Sequence, residues 1–434
     1  MINNRKFMKN SVWMIVDKII NMLAMVFWLA LLARTLPKSD FGEYNFIIAL
    51  VGILIPFASF GLNAQLNKLI LMQDCSIKKV IISAISIRFG AALISILGIY
   101  IYVEFFVSTI NKYLFVLYGI VLVFQSLQVY ESLLQSLSKS KISTFSRLFV
   151  VSIFLILKTI IWYLGKLNLS VAVIIQMMEL SAYYLALALF SYPFSNDLIT
   201  KRNKPLKGFQ FLFPYMTKSG IILVVSGVAE AINLRFDQIM INYYLGNEKV
   251  ADYAIAARIS ESIYFFAAAI AASYFPALIK GKEKGSEFYS YSLSSLNFLL
   301  VSISLIFITF FAFFGRLIII NIFGESFSSS YDILMIHMLA AIFVFSRAVF
   351  SKWLVLENLL IFSVITHGLG AILNIFLNLY FIPKFGLKGA ATATLISYSF
   401  SSYFSLCLFD KTRFYAKVIT FNLFKYHKVK PNVC

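Results

Sequence analysis

Twelve stretches of roughly 20 residues, each apolar enough to cross a ~30 Å hydrocarbon layer as a helix, follow one another along this chain with short polar connections. They fall at approximately 10–33, 43–66, 80–103, 113–137, 148–164, 170–191, 211–243, 253–276, 290–314, 331–350, 359–381 and 389–410. The blocks are continuous rather than alternating, so the spans are helices and not barrel strands. Hydrophobic residues make up 60% of the 434 and charged ones only 13%, about half the share of a soluble domain. No water-soluble fold of this size could cover so much apolar surface. An N-terminal stretch this long, interrupted by Asp17 and Lys18, is not a cleaved signal peptide.

The net charge of +19 is distributed by topology rather than as a nucleic-acid face. One set of alternate connections, with both ends of the chain, holds clusters such as Lys78 and Lys79, Lys139, Lys141 and Arg147, and Lys201, Arg202, Lys204 and Lys207. The other set holds scattered residues such as Lys112, Lys166 and Arg316. The bias predicts that both termini are cytoplasmic, which requires an even number of crossings. Three cysteines (Cys75, Cys407, Cys434) form no CxxC, and three histidines (His337, His367, His427) complete no metal-ligand spacing. No metal or organic cofactor is expected.

The longest hydrophilic connection, 192–210, divides six spans from six. A weak repeat supports the division: residues 36–50 and 245–259 each carry an acidic-aromatic pair (Glu43-Tyr44, Asp252-Tyr253) just before or inside a span start. The expected fold class is an all-α polytopic membrane protein, with twelve transmembrane helices in two pseudo-symmetric six-helix lobes around a central cavity. The expected organisation is an N-terminal lobe 1–195, a cytoplasmic linker 196–210, a C-terminal lobe 211–410 and a basic cytoplasmic tail 411–434.

Ionisable residues inside spans cost about 2.5–3.5 kcal/mol each at a helix centre and therefore mark the bundle interior. Lys18, Arg88, Lys158, Lys218, Arg235, Arg258 and Arg347 are such residues, with Asp17, Glu131, Glu179, Glu230, Asp237 and Glu261 as the acids. Helical spacing sorts them. Ser219, Ser226, Glu230, Asn233 and Asp237 form one polar stripe on the seventh span, with Lys218 at its edge. Asn10, Asp17 and Asn21 repeat on the first span beside Lys18, and Arg258, Glu261 and Ser262 share a face of the eighth. Gln128, Glu131 and Gln135 mark the fourth span; His367, Asn374 and Asn378 mark the eleventh. Lys158 with Glu179 reads as a plain buried pair, Arg235 as a snorkelling side chain, Arg347 as a boundary anchor and His367 as a packing histidine. A cavity with spare positive charge suits phosphate or pyrophosphate. Lys18, Lys218, Arg258 and Arg88 are the candidate substrate-binding residues. Asp17, Glu131, Glu230 and Glu261 are the ion-coupling candidates.

Several short motifs resemble those of polysaccharide flippases of the Wzx type. They are Asn10-Ser11-Val12-Trp13, Leu32-Ala33-Arg34-Thr35-Leu36, Phe41-Gly42-Glu43-Tyr44 and Phe60-Gly61-Leu62 in the first half. The second half has Arg235-Phe236-Asp237-Gln238, Tyr253-Ala254-Ile255-Ala256-Ala257-Arg258-Ile259, and the run from Pro383-Lys384-Phe385-Gly386 to Ala391-Thr392-Ala393-Thr394. The wider group is the multidrug/oligosaccharidyl-lipid/polysaccharide exporter superfamily. The resemblance implies that spans 1, 2, 7 and 8 form a lateral portal. It also implies that an undecaprenyl-pyrophosphate-linked oligosaccharide moves from the cytoplasmic to the periplasmic leaflet of a bacterial inner membrane by alternating access, coupled to H+ or Na+. Expected partners are that lipid-linked oligosaccharide, membrane lipids, and a polysaccharide polymerase with its chain-length regulator; the product would be O-antigen, lipopolysaccharide or another surface glycan.

The nearest rival is a drug/cation antiporter of the same superfamily, which would share fold and topology. A membrane polysaccharide polymerase is a further alternative, but this chain has neither the sizeable outside loop nor the acidic pair such an enzyme tends to need. Gly281-Lys282-Glu283-Lys284-Gly285-Ser286 has the wrong spacing for a Walker A loop. A transporter rather than an enzyme is expected.

Overall fold

The computed structural model describes residues 4–72, 77–107, 111–196 and 209–425. Among them every regular element is helical. The order is α1 (Asn4–Thr35), α2 (Lys38–Ser59), α3 (Asn63–Met72), α4 (Ile77–Phe106), α5 (Lys112–Gly119), α6 (Val121–Gln125), α7 (Val129–Ser136), α8 (Ser140–Tyr163) and α9 (Leu169–Asn196). There follow α10 (Phe209–Leu245), α11 (Asn247–Glu283), α12 (Ser286–Phe323), α13 (Ser330–Leu356), α14 (Ile361–Ser402) and α15 (Asp410–Lys425).

Ten of the described segments are long and apolar enough to cross a membrane singly, and α10, bent by 44° between Leu212–Lys218 and Leu223–Leu245, makes eleven. The 42 residues of α14 would run roughly 63 Å if straight, twice the thickness to be crossed. Gly386 breaks it with φ 60° and ψ −138°, a conformation that a side chain disfavours, so α14 supplies two spans and the total is twelve. The spacing-based expectation of twelve helices is met, with ends shifted by up to nine residues, as at the start of α8 and the end of α12.

Three local features differ from the sequence reading. The second span stops at Phe60 and Gly61, both at positive φ, and α3 leaves as a separate short helix. A Cβ on Gly61 would lie 2.5 Å from Leu223 Cβ, so only glycine allows α10 so close. The fourth span is not one helix: α5, α6, a 3-10 turn at Ser126–Gln128 and α7 succeed one another. Most of the residues read as a basic tail are helical, because Tyr415, Ala416, Val418 and Ile419 recur at helical spacing and are buried. Ser294 donates to the Val418 carbonyl (2.9 Å), and Tyr415 packs on Phe350 and Trp353. Residues 197–208, most of the expected linker, and 426–434 lie outside the described residues.

The chain forms two compact units, Met1–Ala231 and Ile232–Cys434, dividing within α10. In the first, α8 packs between α1 and α9, α2 lies on α4, and α3 lies on α7. Leu62, Leu66, Val80, Ala84, Val129, Leu133, Leu212 and Met216 form a core between α3, α4, α7 and the start of α10. In the second unit α13 is central, against α11, α12 and α14, with α15 on α12.

Candidate functional site

Each unit carries its own buried polar cluster. In the first, a cavity of about 240 Å³ is lined by Asp17 and Lys18 from α1, Asn63 from α3, Ser140, Ser143 and Thr144 from α8, and Gln128, Glu131, Ser132 and Gln135 from the interrupted fourth span. The 3-10 turn ends at Gln128, so the cavity residues begin where the helix is irregular. Gln128 and Gln135 both donate to Glu131, at 3.3 Å each. Asn63 accepts Arg88 Nη2 at 2.7 Å and the Ser132 hydroxyl at 3.5 Å.

Arg88 itself is fully buried on α4. Among the described residues its Nε and Nη1 have no hydrogen-bond partner. It stands behind the cavity wall and acts on the lining through Asn63. At the other side Asp17 receives Arg147 Nε at 2.8 Å, while Arg147 Nη1 reaches Asn21 at 3.2 Å and its guanidinium lies 3.9 Å from the Tyr183 ring centre. The sequence reading places Arg147 in a cytoplasmic connection; it is instead inside α8 and buried, because only there can it neutralise Asp17. Lys18 is exposed at the cavity. Asp17 and Glu131 face the three cations Lys18, Arg88 and Arg147, a local surplus of one positive charge.

Lys158 and Glu179 form a buried pair at 2.5 Å, as their positions suggest, with the ammonium 4.4 Å from the Trp28 ring centre. Removing one partner strands the other charge. Lys158→Ala is expected to lower stability by about 3–5 kcal/mol, and a Lys158→Met/Glu179→Met double variant to recover most of it. Thermal unfolding in detergent, read by tryptophan fluorescence, checks both.

The second unit gathers Asp237 on α10, Tyr253 on α11 and Thr394 on α14. Tyr253 and Thr394 (2.9 Å) both donate to Asp237 Oδ2, while Oδ1 has no hydrogen-bond partner among the described residues. Nearby on the same helices, Asn233 reaches the His367 carbonyl at 3.5 Å, and Asn378 donates to Asn374 at 3.0 Å. Asn233 Oδ1, Asn374 Nδ2 and Asn378 Oδ1 are likewise unfilled. Glu261 is clamped by both Arg235 nitrogens at 2.9 Å and approached by Arg258 at 3.4 Å. Arg235 is therefore an ion-pair partner rather than a snorkelling side chain, since the bend to α11 brings the carboxylate within its reach. Arg347 is no boundary anchor: it is buried, donating to Thr366 (2.7 Å) and the Ser401 carbonyl (2.9 Å).

Of the candidate residues, Lys18, Asp17, Glu131 and, one shell back, Arg88 come together in the first unit. Arg258 and Glu261 meet in the second. Lys218 and Glu230 are exposed on α10, and neither lines the cavity of the first unit. Asp237 was visible as a member of the polar stripe but not singled out. Its signal was the combination of that stripe with an aromatic hydroxyl at Tyr253 and a threonine in the glycine-alanine run. Among the described residues no three His, Cys, Asp or Glu side chains converge on one point.

Residues 7–282 match the protein family described as "Polysaccharide biosynthesis protein". An uncharacterized membrane protein of Methanocaldococcus jannaschii is 23% identical over 425 residues, covering 88% of this chain and 79% of the relative. The fold is shared with the lipid II flippase MurJ in an inward closed conformation, at TM-score 0.69 and 16% identity over 98% of this chain and 94% of that one. It is also shared with a multidrug resistance MATE family transporter of the MOP superfamily in its inward-facing conformation, at TM-score 0.62 and 14% identity over 93% and 95% of the two chains.

Proposed function

The chain belongs to the polysaccharide biosynthesis protein family, and from that premise we propose that it is a flippase for an undecaprenyl-pyrophosphate-linked oligosaccharide. The cargo moves from the cytoplasmic to the periplasmic leaflet of a bacterial inner membrane, with both termini of the carrier cytoplasmic. The observation that carries the reading is the polar cavity of the first unit. Its amides and hydroxyls suit sugar hydroxyls, and exposed Lys18 supplies a point charge for phosphate. Enclosing such a headgroup removes the cost of carrying charge and hydroxyls through hydrocarbon. A polymerase and chain-length regulator would then act on the delivered units.

The carboxylate we propose for ion coupling is Asp237 rather than the Asp17, Glu131, Glu230 and Glu261 expected from the sequence. Asp17 and Glu261 already face arginines, so a proton or cation arriving there must compete with a guanidinium. Asp237 is buried, has no basic partner among the described residues and keeps one oxygen open. Glu131, which accepts from the amides of Gln128 and Gln135, is the corresponding carboxylate of the first unit and, as an acid lining the cavity, favours a second reading, a drug/cation antiporter.

The test is reconstitution in proteoliposomes with a fluorescent oligosaccharide on undecaprenyl pyrophosphate, scored by protection from an impermeant quencher. The wild type should protect the label, and Lys18→Glu should reduce headgroup binding by about tenfold to a hundredfold, the loss of a charge-assisted contact. Transport of lipophilic cations with no effect on the lipid-linked sugar would establish the antiporter instead.

A further inference from the structure

Beside the polar cavity, on the same two helices, lies a recess of about 620 Å³ with an apolar lining. Helix α1 gives it Leu23, Ala24 and Phe27, and α8 gives it Leu148, Leu155 and Ile156. We infer that this α1–α8 recess seats the polyisoprenyl chain of the carrier lipid while the adjoining cavity holds its headgroup, an assignment that rests on the flippase reading above.

Polarity changes in one direction along both helices. On α8 the positions Ser140, Ser143 and Thr144 line the polar cavity; Leu148, Val151 and Leu155 continue the Thr144 stripe at i+4, i+7 and i+11, and the lining of the recess then widens around the helix to Ile160. On α1 the change occurs between Lys18 and Ile20. The Asp17–Arg147 pair sits at the junction. One face thus runs polar, then charged, then apolar, the order of sugar, diphosphate and hydrocarbon in a lipid-linked glycan. From Leu148 to Ile160 the apolar part extends roughly 18 Å along the helix axis, a little over half the hydrocarbon thickness.

The direction matches as well. With the N-terminus cytoplasmic, α8 starts at the cytoplasmic face. The polar end of the seam then lies at the cytoplasmic headgroup level and the recess runs toward the bilayer centre, as the tail of a cytoplasmic-leaflet lipid does. Ordinary lipid-facing surface explains exposed leucines, but it gives no reason for a recess whose head end begins one turn along α1 and α8 from a charged, sugar-sized cavity. Substrate size agrees: about 240 Å³ is below the roughly 300–1,000 Å³ of drug-sized sites, room for a ring near the diphosphate and not for a whole oligosaccharide with its lipid.

The test compares the full chain in nanodiscs with a Ser152→Trp variant, which fills the recess from a membrane-facing position that leaves the core untouched. Two probes carry the same sugar diphosphate, one on undecaprenol and one on a short citronellyl chain. The wild type should bind the long-chain probe more tightly. Ser152→Trp should weaken it by roughly tenfold, the equivalent of about two buried methylenes, and leave the short-chain probe unchanged. A diazirine on the undecaprenyl chain should label Leu155, Ile156 and Phe27, and unlabelled undecaprenyl diphosphate should compete while phosphatidylglycerol should not. Equal binding of both probes by the wild type, or labelling that phosphatidylglycerol erases, would overturn the tail site while leaving the flippase reading intact. Binding of neither probe would remove both.

Discussion

Asp237→Asn should leave a folded carrier that no longer responds to an ion gradient. The amide keeps the size of the carboxylate and still accepts from Tyr253 and Thr394 through its oxygen. What disappears is the negative charge that an arriving proton or Na+ would neutralise. A ligand shifts an equilibrium between conformations only through its different affinity for them, and a side chain without charge offers a cation little to discriminate. A single charge crossing 100 mV carries ~2.3 kcal/mol, so the variant should forfeit roughly a fiftyfold accumulation in energised proteoliposomes. Downhill exchange of the lipid-linked sugar should persist. Wild-type response to an imposed pH or Na+ gradient in Asp237→Asn would move the coupling site to Glu131.

The second large effect is structural. Arg147→Ala is expected to destabilise the protein by about 3–5 kcal/mol, since it leaves Asp17 buried without its counter-charge and also removes the contacts to Asn21 and Tyr183. Asp17→Asn in the same chain should restore most of the stability, because the stranded charge is then gone. Thermal unfolding of the single and double variants checks this; a double variant as unstable as Arg147→Ala alone would show that the arginine acts through packing on Tyr183. Headgroup binding should stay low in the rescued protein, for one cation at the cavity is missing.

The crossings were legible because each needs its own run of apolar residues, and hydrocarbon leaves little freedom in where such a run begins and ends. The Lys158–Glu179 pair was legible too: α8 and α9 are successive spans joined by a tight turn, so positions at similar distances from it lie side by side. Arg147 was not. It follows Lys139 and Lys141 at the start of a span, where basic residues ordinarily mark the cytoplasmic face, and its partner is 130 residues away. Nothing local distinguishes an anchor from an ion-pair partner there.

Asp237 shows the same limit. Helical spacing puts it on a polar stripe, but its environment is made by Tyr253 and by Thr394, 157 residues further on. The break at Ser126–Gln128 also escaped, since no glycine or proline announces it. Those irregular backbones lie at the polar cavity, where local rules yield to the needs of a site.

The one-residue break at Gly386 bears on how the chain is made. Two spans joined there have no connecting loop, and Gly389 packs against the Phe381 carbonyl across the turn. A nascent chain carrying Ile361–Phe385 alone would expose a helix whose partner surface is still in the ribosome. With so short a joint, the second half of α14 is expected to enter the bilayer together with the first, as one unit. Lengthening that joint would thus be felt during biosynthesis, before any cargo is bound.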